Sequence, residues 1–149
     1  MREIKFRGKY LYPDMYPGET WLYGGYAEID GDGFIFPEGK FHYGNGDYWA
    51  ADGFPDIPVV DKSTVGQYTG LKDKNGREIY EGDIVLAQGF HPEYDKWRKC
   101  VMAWNEIDCR WRATMPMGTH TAADWPLSTP NILEVIGNIH DNPELLKKV

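Results

Sequence analysis

Residues 69 to 88, TGLKDKNGREIYEGDIVLAQ, contain the feature that most restricts what this chain can fold into: Asn75-Gly76, set between two runs of alternating polarity. A two-residue hairpin turn whose twist matches its strands is of type I′, which needs positive φ at both central residues, and Asn-Gly tolerates that best. The predicted register sets Lys74 opposite Arg77, Asp73 opposite Glu78 and Leu71 opposite Tyr80. Glu81-Gly82-Asp83 then bends the chain into Ile84-Val85-Leu86-Ala87. Asn75, Gly76 and Gly82 are expected to carry the backbone strain, and Ile79, Ile84 and Leu86 to be core.

Alternation recurs elsewhere. In the opening segment Ile4 and Phe6 fall on one face of a strand and Lys5, Arg7 and Lys9 on the other, predicting one buried and one solvated face. Trp21, Tyr23, Ala27 and Ile29 share a phase, DGDG (30–33) supplies a turn, and Phe34-Ile35-Phe36 forms the return strand. Within 59–70 a short apolar strand passes into polar residues suited to one helical or 3-10 turn. Over 98–114, a loop at Asn105–Asp108 pairs Trp104 with Cys109, Met102 with Trp111 and Cys100 with Ala113, all on one face. That register holds the two cysteines about 13 Å apart at ~3.3 Å per residue, beyond disulfide reach, and makes both core thiols. After a Pro-punctuated stretch at 115–130, NILEVIGNIH (131–140) reads as a last strand and DNPELLKKV as a terminal helix, with Asn142 as cap and Pro143 in the first turn.

Composition supports a mainly β fold. Aromatic residues make up 15% of the 149, and 17 Gly and 10 Pro supply turns, a mixture that favours short strands over helices. A chain this long buries roughly 68–70% of its unfolded surface, so it needs no staples. Two parts are expected: an N-terminal β subdomain over 1–58 with an aromatic and Gly-rich connection, and a small SH3-like β-barrel over 59–149 ending in the short helix.

Sixteen Lys and Arg against 23 Asp and Glu give a net charge of −7 and oppose non-specific attraction to nucleic acid or an anionic membrane. The first residues, MREIKFRGKYLYPD, lack the apolar run of a signal peptide, and no stretch approaches a membrane span. A soluble, cytoplasmic protein with reduced thiols and no membrane partner is the expectation.

MREIKFRG at the start, VDKSTVGQYTGLKDKNGREIYEGDIV at 60–85 and EVIGNIHDNPELL at 134–146 together resemble the YopX family of phage and prophage proteins. The three blocks come in family order from one end of the chain to the other. The resemblance implies a phage or prophage origin, a β-rich fold and a tendency to oligomerise, and it brings no activity with it.

The search for chemistry is negative. Gly39-Lys40 lacks the upstream glycine and the following hydroxyl of a phosphate-binding loop. DGDG begins like a calcium loop, but Phe34 stands where an oxygen ligand is needed. Paired zinc-type cysteines and His-Glu-x-x-His are absent from the sequence. Ser63 and Ser128 lie outside nucleophile-elbow contexts, and His42, His91, His120 and His140 are scattered; His140-Asp141 are neighbours on an extended chain, where side chains point apart. The expectation is a protein without metal, cofactor or catalysis.

Two functional readings compete. In the first, Phe41, Tyr43, Tyr48, Trp49 and Phe54 form a contact surface for a phage or host protein or for identical subunits; the plainer account has them covering the open side of the barrel. In the second, Lys96, Trp97, Arg98, Lys99, Arg110 and Arg112 form a nucleic-acid patch, with Lys5, Arg7 and Lys9 as another, because small barrels place stacking aromatics and cations on one surface. Charged strand faces are more often merely solvated.

Overall fold

The computed structural model describes residues 3–12, 20–37, 58–88, 97–115, 125–126 and 132–147. The fold is mainly β, as the composition indicates, and its strands form two antiparallel sheets. The chain divides into two compact units, Met1–Gln67 and Tyr68–Val149, and one long strand carries it from the first into the second.

In the first unit β1 (Phe6–Tyr10), β2 (Trp21–Ile29), β3 (Asp32–Pro37) and β4 (Val59–Lys72) pair in order, and β1 also pairs with β4, which closes the four strands into a ring. Tyr10, Leu22, Ile35 and Val60 fill it, with Phe6, Tyr26 and Val65 packed against them. The type I′ turn occurs here: Asp30 (φ 52°) and Gly31 (φ 93°) are the two residues between the paired Ile29 and Asp32. The return strand through Phe34-Ile35-Phe36 is as expected.

The solvated cationic face of β1 is a correction. Arg7 is only 4% exposed and Lys5 8%, whereas Ile4 is 70% exposed. Register explains it, because Arg7 lies opposite Tyr23 and Lys9 opposite Trp21, so the in-phase aromatics of β2 cover the cations. The Arg7 guanidinium sits 4.8 Å from the Trp21 ring centre and the Lys9 ammonium 5.6 Å. The face expected from Trp21, Tyr23, Ala27 and Ile29 is thus the outer one, and Leu22 points into the core. In β4 the polar run makes no helical turn; Asp61 Oδ1 accepts from Ser63 N (3.0 Å) and Oγ (2.7 Å), an Asx turn that bulges the strand.

In the second unit β5 (Glu78–Tyr80) pairs with β4, and the second sheet runs β10-β6-β7-β8-β9 through β6 (Asp83–Ala87), β7 (Arg98–Asn105), β8 (Arg110–Thr114), β9 (Trp125–Pro126) and β10 (Ile132–Asn138). Ile79, Val85, Ala87, Cys100, Met102, Trp111, Ala113 and Val135 form its core. Ile79 and Ile84 are fully buried as expected, whereas Leu86 is half-buried.

The Asn75-Gly76 turn is not of type I′. Gly76 has φ 79°, but Asn75 is not in the positive region. Gly76 N donates to Asp73 O (3.0 Å) and Asp73 N to Arg77 O (2.8 Å), a turn over Lys74-Asn75 followed by left-handed Gly76. The partners become Lys72 with Glu78 and Tyr68 with Tyr80. The cause is Asp73, whose Oδ1 accepts from both Asn75 N (2.8 Å) and Arg77 N (2.9 Å). The terminal helix is likewise shorter than expected: Pro143–Leu146 makes a single 3-10 turn, and Asn142 makes no side-chain cap there.

Candidate functional site: the β7–β8 hairpin

Of the residues singled out as a contact surface, Phe41, Tyr43, Tyr48, Trp49 and Phe54 lie outside the described residues, as do Lys96, His42, His91, His120 and Ser128. Of the remaining candidates, Arg98, Lys99, Arg110 and Arg112 lie on β7 and β8, Trp97 just before β7, and Lys5, Arg7 and Lys9 on or just before β1.

The observed pairing is Met102 with Ala113, Trp104 with Trp111 and Asn105 with Arg110, two residues away from the predicted register. A slip of two preserves side-chain parity, so Cys100, Met102, Trp111 and Ala113 still face the core. What changes is the loop, now Glu106 to Cys109. Asn105 Oδ1 accepts from Ile107 N (2.9 Å) and Asp108 N (3.3 Å), and Cys109 takes a left-handed conformation at φ 51°. Cys109 is consequently an exposed free thiol and not a core residue. Cys100 is the core thiol; burial pushes its pKa up to about 11, against a smaller opposing effect of the Arg98 charge.

The same register assigns the aromatic and basic residues of the hairpin to its two faces. Trp104 and Trp111 share the core-side face and meet edge-on, ring centres 5.1 Å apart. Arg98 pairs with Ala87 and so lies on the side of Cys100, whereas Lys99, Arg110 and Arg112 lie on the opposite face. The two arginines converge on one carboxylate oxygen: Asp108 Oδ2 receives Arg110 Nε at 2.6 Å and also Arg112 Nη2. The Arg112 hydrogen bond, with both arginine charges, holds the Asp108 carboxyl below the usual carboxylate range despite some burial. The expected patch is therefore divided between two faces and partly neutralised from within. Lys5, Arg7 and Lys9 form no solvated patch either: Trp21 lies over Arg7 and Lys9, and Lys5, 8% exposed, pairs with Glu3 at 3.1 Å.

Sequence reasoning missed the tip. Ile107 is 96% exposed within the loop, Trp104 (39%) lies near the loop end of β7, and Trp97 (42%) stands just before its other end. An isoleucine inside the polar string Asn-Glu-Ile-Asp was the available signal, since a turn needs no apolar residue there. Elsewhere, Ser63 is committed to the Asx turn, Asp141 Oδ2 accepts from Asn138 Nδ2 (2.9 Å), and among the described residues no group of three or more His, Cys, Asp or Glu is placed to hold a metal ion.

A family model for the YopX protein matches residues 44–147, well over half of the sequence. The chain belongs to the YopX family. The matched part of this YopX family chain includes β4 to β10 and hence the whole β7–β8 hairpin. Among solved structures, it is similar to the crystal structure of protein EF1440 from Enterococcus faecalis, at 25% identity over 99% of this chain and 100% of that one, with a TM-score of 0.41. No curated protein matches it.

Proposed function

We propose that this YopX family chain is a non-enzymatic interaction module that docks a phage or host protein, or a second copy of itself, through the tip of the β7–β8 hairpin. The observation that carries this reading is Ile107, almost wholly exposed on a loop braced by the Asn105 side chain. Covering one such side chain contributes about 1.5–3 kcal/mol, and interface energy is commonly concentrated in a few buried anchors, tryptophan prominent among them. We read the second unit as SH3-like on the strength of its sheet order, the left-handed Gly82 in the bend between β5 and β6, and the closing 3-10 turn. A phage or prophage accessory protein working in the host cytoplasm fits the family, and no helix among the described residues is long and apolar enough to cross a membrane.

Nucleic-acid binding draws less support, because Arg98 lies on the face opposite Lys99, Arg110 and Arg112, and Asp108 engages both Arg110 and Arg112. The deciding experiment compares wild type with Ile107→Asp in solution mass measurements and in affinity capture from infected-cell extracts. Loss of self-association or of a captured partner at unchanged melting temperature is the expected result. A strictly monomeric wild type that captures nothing overturns the reading; salt-sensitive oligonucleotide binding lost on neutralising Arg98, Arg110 and Arg112 would replace it.

A further inference from the structure

We propose that Asn75 is a site of spontaneous chemical modification, converting to aspartate and isoaspartate through a cyclic imide, and that the Asp73 turn sets the rate at which this happens. The chemistry needs only the residue pair and water. The Gly76 backbone nitrogen bonds to Cγ of Asn75, the bond from Cγ to the amide nitrogen breaks, and that nitrogen leaves as ammonia with the proton from Gly76. Water then opens the five-membered ring at either carbonyl, giving aspartate or isoaspartate. Glycine is the most permissive successor because it has no β-carbon to obstruct the ring, and at Gly76 a β-carbon would meet nothing within 4 Å, so the site stands open to solvent. Asparagine is among the thermally labile residues for this kind of reason.

The fold opposes the first step. The nitrogen that must attack is a donor to Asp73 O at 3.0 Å, and the backbone on either side of it is pinned, since Asn75 N and Arg77 N both donate to Asp73 Oδ1. Attack has to wait for the turn to open. Once it has occurred, the consequence is structural: isoaspartate inserts an extra backbone carbon between two N–H groups that one carboxylate holds. The same carboxylate binds Val135 N on β10 through its other oxygen, at 3.0 Å, so disruption of the turn is transmitted to that strand. Asn75 thus works as a slow timer whose stop is Asp73.

The test incubates the intact chain in mildly alkaline buffer, native and in denaturing urea, and follows the peptide containing Asn75 by mass spectrometry with isoaspartate detection. Asn45-Gly46, the other such pair in the sequence, is read separately in its own peptide. Conversion at Asn75 is expected to be at least about tenfold slower in the native chain, the protection given by a turn that opens against a modest free energy. Asn75→Gln should abolish the signal, and Asp73→Ala should bring the native rate close to the denatured one. Amide exchange of Gly76 in the wild type, which should be protected, decides the matter if Asp73→Ala does not fold. Equal native and denatured rates, an unprotected Gly76 amide, or no conversion in urea would each overturn the proposal.

Discussion

Asp73 Oδ2 accepts a hydrogen bond from the backbone of Val135, 62 positions later, at 3.0 Å. Because Oδ1 of the same side chain organises the turn before β5, one carboxylate, 7% exposed, ties that hairpin to β10. Lys74 and Glu134 form an ion pair (3.2 Å) beside this tie.

Replacing Asp73 with Ala removes three charge-assisted hydrogen bonds and leaves the Val135 N–H without its acceptor. A loss of about 2–4 kcal/mol in urea unfolding is expected. A loss below about 1 kcal/mol would mean that water takes over the role of the carboxylate.

The same carboxylate makes stability depend on acid. Burial alone would raise its pKa, but hydrogen bonds from Val135, Arg77 and Asn75, together with the charge of Arg77, outweigh that and lower it. A folded-state pKa below the unfolded value of about 3.9 stabilises above that value, and the contribution is lost as pH falls through the folded pKa. Urea midpoints of wild type and Asp73→Asn, well separated at neutral pH, should therefore converge as the pH drops below about 4. Parallel curves down to the acid limit would count against the assignment.

Gly76 and Asn75 should respond unequally to substitution. Only Gly76 occupies the left-handed region, so Gly76→Val is expected to cost about 1–2 kcal/mol or more, and Asn75→Ala less than about 0.5 kcal/mol. Equal large losses in thermal melts would restore the two-residue type I′ turn.

The two thiols should be separable by reagent. Cys109 is exposed while Cys100 is 0% exposed and held protonated by burial, so one equivalent of a thiol-specific probe should label the native chain, at Cys109, and a second only in urea. Rapid native labelling at Cys100 would contradict the packing of the second core.

Much of this was legible in the sequence because alternation has a period of two and survives errors of register. The expected pairing over 98–114 was wrong by two residues, yet Cys100, Met102, Trp111 and Ala113 kept the correct face, and only the loop residue Cys109 was misplaced. The contact site was less legible. A strand pattern says that two faces differ, but not what the outer face meets, and so Arg7 and Lys9 read as solvated until the pairing of β1 with β2 brought Trp21 over them.

By itself the sequence determined the β class, the turns at 30–31 and around Gly76 and Gly82, and the family, since turn residues and side-chain alternation act locally and the family blocks are contiguous. Tertiary structure alone decided the type of the Asn75-Gly76 turn, the closing of β1 onto β4 and the exposure of Ile107. The first follows from the Asp73 carboxylate, whose other oxygen is engaged by Val135 N 62 positions later, and the other two from which groups approach or leave uncovered a side chain in space, which alternation and turn residues do not specify.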